Sequence, residues 1–276
     1  MPSPQQVAKI DALMEQAHQA LVRRQYFECE AVSAGALRKA HSVLDYDRMA
    51  RIIMPLQEAR RQKRDMAIDA MRVAVIGGGV GVGGEMPAPE LIQAGCYLVC
   101  PPRVGVDGRA LREAADGLGI ATLVLVREPT SREGLWPIVA VGPVTVRAKV
   151  APPEMIDAAD LETDRPGTKK RGTKKVVAGA RAGGSGVMVP PPNWFIEASE
   201  RLGDGAIESV DAGLPAHVRV DLLLERLEAL PDHEKLHQAL ETACRQALRE
   251  PKRKRKPGDE SYEAGEFDDR VLDTED

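Results

Sequence analysis

The sequence predicts an α+β fold: N-terminal α-helical hairpins, a small mixed α/β sheet domain and a C-terminal helical hairpin. Three observations predict it. Apolar residues recur at helical spacing before residue 70 and again after residue 193. Only residues 71–152 contain runs whose pattern asks for a sheet. Within them, strand, helix and strand follow one another in about 30 residues, the order of a parallel crossover. The predicted organisation is 1–70 helical, 71–152 α/β, 153–192 a disordered basic, Gly- and Pro-rich linker, 193–250 helical, and 251–276 a disordered charged tail.

The first helix opens at Ser3-Pro4, a cap followed by a first-turn proline, and its apolar side is Val7, Ile10, Met14, Ala17 and Leu21. A break near Arg24-Gln25 leads to a second helix from about Tyr26 to His41. The small Ala17, Tyr26 at the turn and Ala36-Leu37 fall in a familiar arrangement, with Cys29 where alanine is usual. On these residues, about 5–41, the pair resembles a tetratricopeptide (TPR) helical hairpin. That resemblance implies a protein-interaction surface. Leu44 to Asp69 continues helical, with Pro55 either kinking one helix or opening the next. Arg60-Arg61-Gln62-Lys63-Arg64 reads as a basic, solvated helix face.

Val73 to Ile76 is a buried strand, and Gly79-x-Gly81-x-x-Gly84 has the spacing of a dinucleotide-binding turn. Pro87 and Pro89 then fall where the phosphate-binding helix should be gaining its hydrogen bonds. The next strand, Cys96 to Cys100, ends in Pro101-Pro102, not in an acidic residue that would hold a ribose. The segment therefore reads as a loop, with nucleotide or anion binding as an alternative. Asp107 can cap a helix carrying Ala110, Leu111, Ala114, Ala115 and Leu118, and Gly119 stops it. Thr122 to Val126 is a strand, and Pro137–Val141 with Thr145–Val150 form a hairpin. Ligands of such sheets bind beyond the carboxyl ends of the strands. The candidates there are Arg103, Asp107, Arg109, Arg127, Glu128 and Arg132, with ion pairing among neighbours as the competing reading.

The linker repeats Gly-Thr-Lys-Lys at 167–170 and 172–175, without aromatic residues for base stacking. Beyond it, Asn193 can cap a helix beginning at Trp194-Phe195. Val220, Leu223, Leu224, Leu227 and Leu230 make a second stripe, and Leu236, Leu240, Cys244 and Leu248 make a third. The last helix opens with His233-Glu234-Lys235-Leu236-His237, an H-E-x-x-H match. Two imidazoles four residues apart on a helix can hold zinc beside a glutamate base, so His233 and His237 are alternative ligands and Glu234 an alternative catalytic base. The resemblance to the zinc-metalloprotease signature covers five residues. Lys235 puts a charge inside the motif, and Leu240 and Ala243 stand where the extended version needs glycine and histidine.

Aromatic residues are only 3%, so Leu, Val, Ile, Met and Ala must fill the core, and the net charge of −4 favours neither nucleic acid nor an anionic membrane. No apolar run approaches the roughly 20 residues of a membrane span, and the N-terminus is not of signal-peptide type, so a cytoplasmic location is expected. The four cysteines lack C-x-x-C spacing and read as buried thiols without a metal. The expected function is that of a non-enzymatic interaction or scaffold protein without a cofactor, whose partner is another protein. The rival is a zinc-dependent hydrolase built on His233, Glu234 and His237.

Overall fold

The computed structural model describes residues 3–78, 84–130, 133–163 and 186–250. Gly79, Gly81, Arg132, the repeated basic segment and the charged tail fall outside the described residues. The N-terminal layer is three helices, α1 (Pro4–Val22), α2 (Tyr26–Ser42) and α3 (Tyr46–Asp69). A reciprocal capping box opens α1: Ser3 Oγ accepts the Gln6 N–H at 3.2 Å and Gln6 Oε1 accepts the Ser3 N–H at 2.8 Å. The two turns between helices are built alike. Arg24 and Leu44 take left-handed φ values of 61° and 57°. The next N–H then bonds back into the preceding helix, Gln25 to the Ala20 carbonyl and Asp45 to the Ala40 carbonyl, both at 2.9 Å. Of its two expected outcomes, Pro55 lies within one uninterrupted helix, α3. Its carbonyl accepts from the Cys29 thiol at 3.6 Å, which ties α2 to α3.

The central sheet contains β1 (Val73–Ile76), β2 (Gly95–Val99), β3 (Thr122–Arg127), β4 (Trp136–Val141) and β5 (Thr145–Val150), in that spatial order. The first three are parallel and the last two add antiparallel. Helix α4 (Gly105–Gly117) forms the crossover from β2 to β3. It starts two residues before Asp107, so this carboxylate reaches back from the first turn to the Val104 N–H at 2.7 Å.

Strand β2 is buried along its whole length, and its alternation shows why. Tyr97 and Val99 pack with Leu111, Ala115, Val126 and Val139 under α4. Cys96 and Leu98 face the opposite way, into the main core. Cys96 and Cys100 share that face, as their spacing requires, and the sheet lies between α4 and the remaining helices.

After the sheet, β6 (Ile156–Asp157) leads into α5 (Ala158–Thr163), and β7 (Met188–Val189) pairs antiparallel with β6. The two ends of the expected linker are therefore joined by a short ladder. Three helices complete the C-terminal part: α6 (Pro192–Glu208), α7 (Ala216–Ala229) and α8 (Glu234–Ala247). Asn193 falls inside the first turn of α6 because Pro192 already begins it. Helix α6 lies against β5, where Trp194 Nε1 donates to the Ala151 carbonyl at 3.1 Å and its ring meets Trp136 edge-on at 5.7 Å. One continuous core joins Ile10 and Ile53 of the first layer, Leu98 and Ile138 of the sheet, and Phe195, Leu223 and Leu240 of the C-terminal helices.

Phe195 is fully buried where α6 meets this core. Phe195→Ala should lower the unfolding free energy by about 3–5 kcal/mol in a urea titration.

Candidate functional site

A cluster of buried ion pairs gathers on one face of α3. Arg60, Lys63, Arg64 and Ala67 recur at three- and four-residue spacing and so share that face. The sequence reads this basic run as solvated, whereas the structure turns it inward. α3 packs against α2 on one side and α8 on another, leaving Arg61 as the residue of this run that pairs outside, with Glu58 at 2.8 Å. Glu30 of α2 receives Arg60 at 2.7 Å and also the Lys63 ammonium. Lys63 lies under the Phe27 ring and reaches Asp116 of α4 at 2.6 Å. Burial works against the Glu30 carboxylate, but Arg60 and Lys63 outweigh it and hold its pKa at about 2. Nearby, desolvation raises the pKa of the Asp232 carboxyl.

The same helix dictates how the H-E-x-x-H segment folds. Its first histidine precedes α8 as the N-cap residue instead of lying within the helix. His237 points back at α3. Its Nδ1 lies 2.9 Å from the His233 carbonyl, which can only accept, so Nδ1 bears the proton; Nε2 is then the acceptor for Arg60, 3.3 Å away. Burial, then the Arg60 charge, depress the His237 pKa to about 3. Glu234 is taken by Arg64 at 2.6 Å. Glu250 caps the start of α7 through the Ala216 N–H at 2.6 Å. The structure thus does not bring His233, Glu234 and His237 to a common point.

The His233 ring turns instead toward α6. There Nε2 lies 3.4 Å from Glu200 Oε2 and 3.6 Å from Asp204 Oδ1. Glu200 and Asp204 are four residues apart on one helix face, and Gly203 between them leaves room for the imidazole. A Cβ at Gly203 would stand 2.1 Å from the ring's Cγ. His233 is 2% exposed, and neither ring nitrogen has a hydrogen-bond partner. Lys235 Nζ approaches Asp204 at 2.9 Å and Glu200 at 3.6 Å from the solvent side. Beneath His233, a cavity of about 40 Å³ reaches Gly108, Arg112, Leu202 and Asp232, enough for a water molecule.

The strand-end candidates separate into pairs. Arg103 lies 3.8 Å from Asp107, Arg109 lies 2.6 Å from Glu113, and Glu128 lies 3.1 Å from Arg147. Arg127 stacks over the Trp136 ring at 4.4 Å. In the glycine-rich segment, the Gly84 N–H bonds to the Val75 carbonyl at 2.8 Å. Gly77 has φ 81°, and a Cβ on it would meet the Cys100 carbonyl at 2.4 Å, so close backbone approach accounts for this glycine. Between β1 and β2 the helical structure among the described residues is a 3₁₀ turn, Pro89–Leu91, and no α-helix begins there to receive a phosphate. Cys29, Cys96, Cys100 and Cys244 are buried, and burial pushes Cys96 and Cys244 up to about 12.

Glu30, Asp116, Asp232, Glu200 and Asp204 escape the sequence reading. The i,i+4 carboxylates flanking a glycine were the one available signal, and nothing in the sequence ties them to a histidine 29 residues later. Comparison with family models, curated proteins and solved structures finds no match.

Glu30→Gln leaves Arg60 and Lys63 buried without their shared counter-charge. It should cost about 3–5 kcal/mol at pH 7 by urea titration. The folded-state pKa of about 2 lies below the ordinary 4.5, so the stabilisation is present above 4.5 and lost as pH falls toward 2. The gap between wild type and variant should close over that window.

Proposed function

We propose that this chain is a non-enzymatic interaction protein in which α1–α3 offer a helical-repeat surface to a protein partner. The observation behind the reading is the repeated turn: Arg24-Gln25-Tyr26 and Leu44-Asp45-Tyr46 recur 20 residues apart with matching backbone bonds. Such repetition stacks successive helices at a regular angle and leaves one row of side chains of each helix outside. On α3 that row is Asp47, Arg51, Met54, Glu58, Arg61 and Asp65, running at helical spacing opposite the buried basic face. Met54, 72% exposed, is an apolar residue within this otherwise charged row. The TPR resemblance of the first two helices points the same way. A zinc-dependent hydrolase using His233, Glu234 and His237 has less support, because their side chains engage three different neighbours. Among the described residues, no helix is long and apolar enough to cross a membrane.

Deleting the N-terminal helices is a poor test, since Ile10, Leu37 and Ile53 belong to the shared core. The double variant Met54→Glu, Arg51→Glu changes only exposed positions and should leave the melting temperature within a few degrees. Cross-linking capture followed by mass spectrometry should lose specific partners in this variant. An identical partner set would overturn the proposal.

A further inference from the structure

We infer that Glu200, Asp204 and His233 form a binding site for a divalent first-row transition-metal ion, of the zinc class, at the junction of α6 and α8. This goes beyond the interaction reading and is independent of it. The three side chains can each direct one ligand atom to a common region, all within 4.8 Å of one another. Two atoms bound to one ion at about 2.0–2.2 Å with a tetrahedral angle stand about 3.3–3.6 Å apart. The measured separations from His233 Nε2 to the two carboxylate oxygens, 3.4 and 3.6 Å, match that requirement.

The imidazole supplies the independent argument. A buried polar group is normally hydrogen-bonded, and the exceptions call for a reason. His233 is 98% buried by its 2% exposure, yet both of its ring nitrogens lack a hydrogen bond. Its Nε2 is aimed at two carboxylates, and the ring is seated there by the missing side chain of Gly203. A metal bound at Nε2 would satisfy that nitrogen and both carboxylates together.

The two oxygens that face Nε2 already attract a cation: Glu200 Oε2 and Asp204 Oδ1 are also the atoms nearest the Lys235 ammonium. Lys235 has a side chain 56% exposed and can withdraw into solvent. Glu200 and Asp204 are about one-third exposed, so an ion can enter from outside. One imidazole and two carboxylates favour a borderline ion over calcium or magnesium, which prefer all-oxygen shells. The ligand set differs from the H-E-x-x-H reading: it keeps His233 and replaces Glu234 and His237 with residues of another helix.

The test uses the full chain and the metal ions alone. Titration with Co²⁺ should develop visible d–d bands that saturate at one equivalent and disappear when Zn²⁺ is added. Glu200→Gln and Asp204→Asn alter part-exposed side chains and should keep the wild-type circular dichroism. Each should weaken Zn²⁺ binding at least tenfold in competition with a chromophoric chelator. Lys235→Ala removes the competing ammonium and should tighten binding several-fold. A Zn²⁺ affinity unchanged by both carboxylate variants would overturn the site, as would failure of the wild type to take up one equivalent. Weaker binding by Lys235→Ala would also overturn it, because an ion held by these oxygens must gain when the ammonium competing for them is removed.

Discussion

The molecule depends on how α3 keeps its positive charges inside. Removing an ion from water costs several kcal/mol unless a partner of opposite charge compensates it. Arg60 and Lys63 meet that demand through Glu30 of α2, and Lys63 adds Asp116 of α4. Such pairs tolerate little sliding, because a shift of one residue would turn a charge toward apolar side chains. They therefore set α3 against α2 and α4, while aliphatic burial around Ile52, Ile53 and Leu56 supplies the non-directional part of the association.

From that anchored helix the local geometry of α8 follows. Arg60 meets His237, and Arg64 meets Glu234 and the Asp232 carbonyl at 3.3 Å. These contacts hold the first turn of α8 against α3 and leave the preceding residue, His233, to face α6. An H-E-x-x-H string thereby becomes three residues with three different neighbours. The carboxylates that His233 finds instead come from a helix that the sequence does not connect with it.

Local patterns were legible wherever one face of an element is buried and the period is clear. Val73–Ile76 matched residue for residue, and the hairpin of β4 and β5 differed only by inclusion of Trp136. Caps were less legible by two or three positions: Asp107 and Asn193 lie inside first turns, because neighbouring residues began each helix earlier. Pro55 left two outcomes open locally, and packing of α3 against α2 and α8 sustains one unbroken helix.

By itself the sequence determined the α+β class, the parallel core of the sheet and the glycine-rich segment's lack of a following helix. Those follow from periodicity and proline chemistry, which act over a few residues. Only the tertiary structure decided that Arg60, Lys63 and Arg64 are interior, and that His233 belongs with Glu200 and Asp204. The reason is physical. A basic helix face has the same spacing whether it meets water or buried carboxylates. The choice rests on Glu30, Asp116 and Glu234, placed there by other helices.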